Sequence, residues 1–107
     1  MKYWPVIFSK LPAQAMALYP FMLFKTENLK HNETIIRHEK IHFKQQLELL
    51  IFPFYVLYLL HYLVNLIKYQ NRSKAYFNIC FEKEAYANDQ DPDYLKNRKL
   101  YAWMRNR

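Results

Sequence analysis

The segment Asn32-Glu33-Thr34-Ile35-Ile36-Arg37-His38-Glu39-Lys40-Ile41-His42-Phe43-Lys44-Gln45-Gln46 decides how the chain is read. Asn32 stands where a helix N-cap belongs, Glu33 places a carboxylate in the first turn, and helical periodicity runs on to about Ile51. At about 100° per residue, Ile36, Phe43, Leu47 and Leu50 share one stripe, with Arg37, Lys40, Lys44 and Glu48 opposite. A third face carries His38 and His42 in the pattern H-E-x-x-H. Residues at i and i+4 stand about 5 to 6 Å apart at Cβ, so both imidazoles can reach one cation. Zinc suits them, because it accepts neutral imidazole in a tetrahedral shell and leaves one position for water. Glu39, about 100° around the helix from His38, can reach such a water without being a ligand. That places it as general base for a water whose pKa the metal lowers toward about 7.

Outward from this helix, the third ligand must come from elsewhere. No His follows within reach, and position 45 is Gln. Phe81-Glu82-Lys83-Glu84-Ala85-Tyr86 supplies two carboxylates on a later helix. Glu82 shares a helical face with Ala75, Ile79 and Tyr86, where small alanines allow close approach, and is preferred; Glu84 shares its side with Phe77, Phe81 and Asn88 and stays open as the alternative. Gln45 and Gln46 flank the histidine face and could orient ligands or substrate, although solvent-exposed amides are the plainer reading. His31 and His61 read as structural.

Ala15 to Lys25, aromatic-rich and bounded by polar residues, reads as a strand that Pro20 confines to a sheet edge, and Thr26 to His31 as a loop. Pro53 opens a second helix to about Tyr69, Ser73 caps a third to about Asn88, and Asp91-Pro92 starts a last one to about Met104. The expected architecture is α+β and mainly helical, a single minimal domain over 1–107. It comprises an N-terminal strand and loop region (1–31), an active-site helix (32–51), a hydrophobic helix (53–69), a glutamate helix (73–89) and a basic C-terminal helix (91–107). The metal would sit between the first and third helices.

Composition narrows the chemistry. Among 107 residues there is no Gly, where average usage would supply about seven. Phosphate-cradling loops, dinucleotide fingerprints, the Gly-x-Ser-x-Gly elbow and the EF-hand loop are excluded, and no turn through positive φ is expected. Cys80 is alone, so no intramolecular disulfide or multi-cysteine metal site forms, and Ser9 and Ser73 leave little for a serine triad. Ten Tyr, eight Phe and two Trp supply the bulk of a small core. The net charge of +7 favours anionic partners, yet the basic tail Lys96, Arg98, Lys99, Arg105, Arg107 reads as a solvated face without a groove-docking motif, so nucleic acid is not expected.

His38, Glu39 and His42, followed by Glu82 with Ala85 three positions on, resemble the gluzincin branch of the zincin metallopeptidases, and the size is similar to that of minimal single-domain gluzincins. The resemblance implies one zinc per chain held by His38, His42 and Glu82, Glu39 as base, and a peptide or protein substrate paired along an edge strand, here Ala15 to Phe24. The chain departs from the family at Tyr86, where many members carry an acid that orients a zinc-bound histidine; with Glu84 as ligand, Asn88 would take that place. Tyr86 and Tyr94 are the candidates for stabilising an oxyanion.

Leu49 to Ile67 is 19 residues without a formal charge, near membrane-spanning length. Pro53, His61 and Asn65 speak against spanning, and a buried or hairpin helix of a compact domain is preferred to membrane association. The first eight residues make a poor signal peptide, so the expected location is cytoplasmic or membrane-associated. Competing with the metallopeptidase are an inactive, metallopeptidase-like metal-binding protein and a non-enzymatic helical protein at a membrane surface.

Overall fold

The computed structural model describes residues 2–106. The chain is α+β and mainly helical. Three short strands open it: β1 (Trp4–Ile7), β2 (Ala15–Leu18) and β3 (Phe21–Phe24) form a sheet in the order β1-β3-β2, with β1 parallel and β2 antiparallel to β3. The single strand expected over Ala15 to Lys25 is therefore a hairpin. Pro20 lies in its turn, after a cis Tyr19–Pro20 bond, where its missing N–H is not needed by the ladder. A 3-10 turn at Asn28–His31 follows.

Helix α1 covers Glu33–Leu49, and the Asn32 side chain caps it by accepting from the Ile35 N–H at 3.1 Å. Its buried face is not the aliphatic stripe expected. Phe43 is buried, but Leu47 and Leu50 are exposed, and the inward positions are His38, Ile41, His42, Gln45 and Gln46. A polar site occupies the face that periodicity alone would assign to core.

Helix α2 (Ile51–Tyr69) begins after Leu50, which takes φ 61°. Gln70 and Tyr101 also have positive φ, at 53° and 56°, so the absence of Gly does not exclude such turns; single L-residues tolerate the left-handed region at about 1 to 2 kcal/mol each. Only Phe54 and Asn65 of α2 are buried, so of the two forms expected for Leu49 to Ile67 the buried helix does not hold, whereas α2 does pack along one side against α1 and α3, as a hairpin helix would.

The helix expected over 73–89 is two: α3 (Arg72–Phe77), capped by the Asn71 side chain rather than Ser73, and α4 (Cys80–Asn88). The break at Asn78 and Ile79 turns the chain so that Ile79 and Phe81 reach the core. The expected basic helix over 91–107 is also shorter. Asp91 accepts from the Asp93 N–H in a local turn, α5 spans only Tyr94–Asn97, and a 3-10 helix follows at Ala102–Asn106.

Two cores result. Ala17, Met22, Phe24 and Phe43 pack between the sheet and α1, with Tyr3 and Tyr19 against Phe43. Phe54, Ile79, Cys80 and Phe81 pack between α2 and α4, with Trp103 folded back onto Phe81. The histidine face of α1 lies at the seam between them.

Candidate metal centre

His38 and His42 leave α1 one turn apart, ring centroids 4.9 Å, and both aim Nε2 at one carboxylate oxygen. Glu82 of α4 presents Oε1 at 3.0 Å from each Nε2. All three side chains are buried, and their ligand atoms lie within 4.8 Å of one another. Ligands about 2.0 to 2.1 Å from a tetrahedral zinc stand about 3.3 Å apart, so the set closes on such an ion with small movements. Glu84 lies outside this cluster, and its place is described below.

The other ring nitrogens fix the chemistry. His38 Nδ1 faces Asp89 Oδ2 at 3.0 Å and His42 Nδ1 faces Gln45 Oε1 at 2.7 Å. The Gln45 orientation is determined, because its Nε2 donates to the Phe81 carbonyl and to Glu84 Oε1, both at 3.0 Å. Both histidines therefore donate Nδ1–H to acceptors, and in a neutral imidazole that leaves the Nε2 lone pair facing the Glu82 carboxylate. Lone pairs converging at 3.0 Å in a buried site require a cation between them, a proton or a metal ion. The donor set of two imidazoles and one carboxylate fits zinc.

The electrostatics agree. Burial disfavours charge on His42, but the Glu82 carboxylate beside it, with Glu39 and Gln45, pushes it up to about 9 in the metal-free protein. Burial likewise raises Glu82, yet His42 and His38 outweigh it and hold the carboxyl well below the usual range. Tyr58 of α2 donates its hydroxyl to the second Glu82 oxygen at 2.6 Å, fixing the carboxylate's rotation.

Glu39 is buried beside the cluster. Burial pushes its carboxyl up, against the pull of His42 and His38 and of a hydrogen bond with the Ala17 backbone. It opens onto a cleft of about 230 Å³ lined by His42, Glu82, Phe54, Tyr55 and Tyr58 on one side and by Ala15, Met16 and Ala17 of β2 on the other. A second opening of about 330 Å³ lies beyond His38, between Thr34, Ile35, Tyr86 and Asp89. Ala13, Ala15, Glu39 and Tyr76 line both, so the two meet at Glu39.

The hairpin register sets the β2 edge. Gln14 faces β3, where its carbonyl accepts from the Lys25 N–H, so Ala15, Ala17 and Tyr19 turn their peptide groups the other way. Gln46 locks part of that edge to α1: its Oε1 accepts from the Tyr19 N–H at 2.9 Å, and its Nε2 donates to the Ala17 carbonyl at 2.8 Å, which also accepts from the Tyr55 hydroxyl. Gln45 and Gln46 are thus fully buried positioning groups, which corrects their reading as exposed amides.

Other candidates fall elsewhere. Glu84 is fully buried, and its carboxylate accepts from Gln45, Tyr94 and Arg98. Tyr94 is thereby engaged with Glu84 and not with the cleft. Asn88 donates to the Glu84 backbone carbonyl and orients no histidine. Tyr86 lays its ring against His38, centroids 4.4 Å apart, and its hydroxyl meets that of Tyr76 at 2.9 Å. Arg98, expected on a solvated face, is clamped between Glu84 and Glu48. His61 accepts the Cys80 N–H at 3.1 Å at the start of α4, a structural role; His31 is exposed in the 3-10 turn. Sequence reasoning missed Asp89, Tyr58 and Tyr76. Asp89 was within reach, since it stands seven residues after Glu82 on the same helical face.

No protein-family model, curated protein or solved structure matches the chain.

Proposed function

We infer that the protein is a zinc-dependent metallopeptidase. One observation carries the reading: two imidazoles with their Nδ1–H groups anchored turn both Nε2 atoms onto one buried carboxylate oxygen, beside a buried glutamate at the meeting point of two clefts. His38, His42 and Glu82 would hold one zinc ion, which when bound supplies Lewis acidity toward water and a peptide carbonyl. Glu39, which is not among the three side chains whose ligand atoms converge, takes the proton of the attacking water on its carboxylate and delivers it to the leaving amine. Burial raises its affinity for protons, the direction that a proton-carrying carboxylate needs. Asp89 and Gln45 keep the imidazoles oriented, and Tyr58 keeps Glu82 from rotating away.

The substrate geometry follows from β2. The Ala17 carbonyl and the Tyr19 N–H are taken by Gln46, so an extended peptide would add as a strand at the Ala13–Ala15 end, crossing Glu39 from one opening to the other. Tyr76 borders both openings, and its hydroxyl is the proposed donor to the carbonyl oxygen.

Hydrolysis of a quenched-fluorescence peptide library by the zinc-loaded chain tests this. Glu39→Gln should retain zinc and lose at least about 10²-fold in kcat/KM, because general-base transfer contributes roughly 10² to 10⁴. Cleavage that persists in Glu39→Gln, or no cleavage of any peptide by a chain shown to hold zinc, would refute the reading.

A further inference from the structure

Helix α2 has its amphipathic sides reversed. Turned toward the domain are Tyr55, Tyr58, His61, Tyr62 and Asn65, with Phe54. Turned away is an unbroken aliphatic ridge, Val56, Leu60, Leu63 and Ile67, flanked by Phe52, Leu59 and Val64, all exposed; Ile67 is 75% and Phe52 77% exposed. An apolar face this continuous along a whole helix marks an interaction surface.

The helix is long and apolar enough to cross a membrane by length and composition, with a mean hydropathy of 1.4. Its contacts argue for a different orientation. Along its length it is fastened sideways to the domain: Phe54 on Phe81, the Tyr58 hydroxyl on Glu82, His61 on the Cys80 amide, Asn65 on the Ala75 carbonyl. A spanning α2 would carry the charged centre of His38, His42, Glu39 and Glu82 into hydrocarbon. Lying flat, it buries only the ridge.

Charge identifies what it lies on. From Leu49 to Phe81 there is no acidic residue, while Lys68, Arg72 and Lys74 cluster where α2 ends and α3 begins. An open groove of about 560 Å³ between α2 and α3 is walled by Leu59, Tyr62 and Phe77 and includes Arg72 and Ser73, apolar walls beside a guanidinium. That is the complement of an acyl chain below an anionic headgroup. A second copy of the chain offers no acid along this ridge to meet those cations.

We propose that α2 lies in the plane of an anionic lipid bilayer, with the Val56, Leu60, Leu63 and Ile67 ridge at the headgroup–acyl boundary and Lys68, Arg72 and Lys74 on the headgroups. The inference concerns the face of α2 opposite the metal centre and does not rest on the peptidase reading. The full chain, with and without zinc, is to be floated with vesicles of phosphatidylcholine alone and of phosphatidylcholine mixed with phosphatidylglycerol. Both forms should float with the anionic vesicles, at least about tenfold more strongly than with the neutral ones, and be released by alkaline carbonate. Leu60→Glu with Leu63→Glu should lower binding on the order of 100-fold with unchanged circular dichroism, and Lys68→Glu, Arg72→Glu and Lys74→Glu together should abolish the preference for anionic lipid. Failure to float, equal binding to neutral vesicles, or indifference to Leu60→Glu with Leu63→Glu would overturn the proposal. So would carbonate resistance, which means spanning, or a dimer that those two substitutions dissociate, which means a second copy.

Discussion

Replacing Arg98 by Met tests a charge cluster whose side chains are nearly all out of solvent. The guanidinium donates to Glu48 at 2.8 and 3.0 Å and to Glu84 at 2.5 and 3.0 Å, and the three side chains are 3%, 6% and 1% exposed. Arg98→Met leaves two nearly dry carboxylates facing each other without a cation. Removing one partner of a buried ion pair destabilises by about 3 to 5 kcal/mol, against about 0 to 1 for an exposed pair. At about 4 °C or more per kcal/mol, the melting temperature should fall by at least about 12 °C. A second consequence is chemical. Glu84 holds the Gln45 amide, and Gln45 holds His42 Nδ1, so loosening Glu84 disorders His42, one of the proposed zinc ligands, and should weaken zinc binding about 10- to 100-fold. Urea unfolding of the metal-free protein measures the first effect, and competition with a chromophoric chelator the second. The triple variant Arg98→Met, Glu48→Gln, Glu84→Gln, with no charge left to strand, should recover most of the stability. A loss below about 1 kcal/mol in the single variant would show that the cluster acts as an exposed bridge. Lost stability with unchanged zinc affinity would break the link from Glu84 to His42.

Two further outcomes follow from the centre itself. Asp89→Ala removes the acceptor of His38 Nδ1–H and should reduce zinc affinity about 10- to 100-fold in the chelator assay, whereas Asn88→Ala, which touches only a backbone carbonyl, should leave it unchanged. The pH dependence of the metal-free protein has a definite sign. His42 is raised from 6.5 to about 9, so its stabilisation is complete below about pH 6.5 and is lost as pH rises through 9; Glu82 is lowered, so its contribution is present above about 4.5 and lost as pH falls below that. The metal-free protein should therefore melt at a lower temperature at pH 9.5 than at pH 6.5, by an amount on the order of 10 °C, and zinc, which replaces the proton, should flatten that slope. A melting temperature that rises over this interval would contradict the assigned His42–Glu82 pairing.

The parts of the centre carried by one helix were legible in the sequence. His38 and His42 share a face because i and i+4 are neighbours on any helix, Glu39 stands about 100° around from His38, and Asn32 caps that helix by its own chemistry. Glu82 could be preferred over Glu84 from its helical face, and Asp89 continues that face by two turns. What decides Tyr58 and Tyr76 is how α2 and α3 come to lie on the site, which no local periodicity encodes. Gln45 and Gln46 look like surface amides because their partners, Phe81, Glu84, Ala17 and Tyr19, are distant in sequence. The hairpin was hidden because Pro20, read as confining one strand to a sheet edge, lies in the turn between two. Asn78 split the glutamate helix without any Pro or Gly to announce it. Helix α2 is the instructive case: its apolar length was plain from sequence, but that its tyrosines turn inward and its leucines outward is visible only in the fold.

The central claim is that His38, His42 and Glu82 hold a zinc ion. Its most direct measurement is the metal content of protein purified without added metal, together with X-ray absorption at the zinc edge. The account predicts about one zinc per chain, with two nitrogen ligands near 2.0 to 2.1 Å and oxygen ligands completing the shell. The metal should be lost in His38→Ala with His42→Ala, sharply reduced in Glu82→Ala, and retained in Glu39→Gln and Glu84→Gln. A wild-type chain that remains metal-free after exposure to zinc, or zinc that stays bound when both histidines are gone, would contradict it.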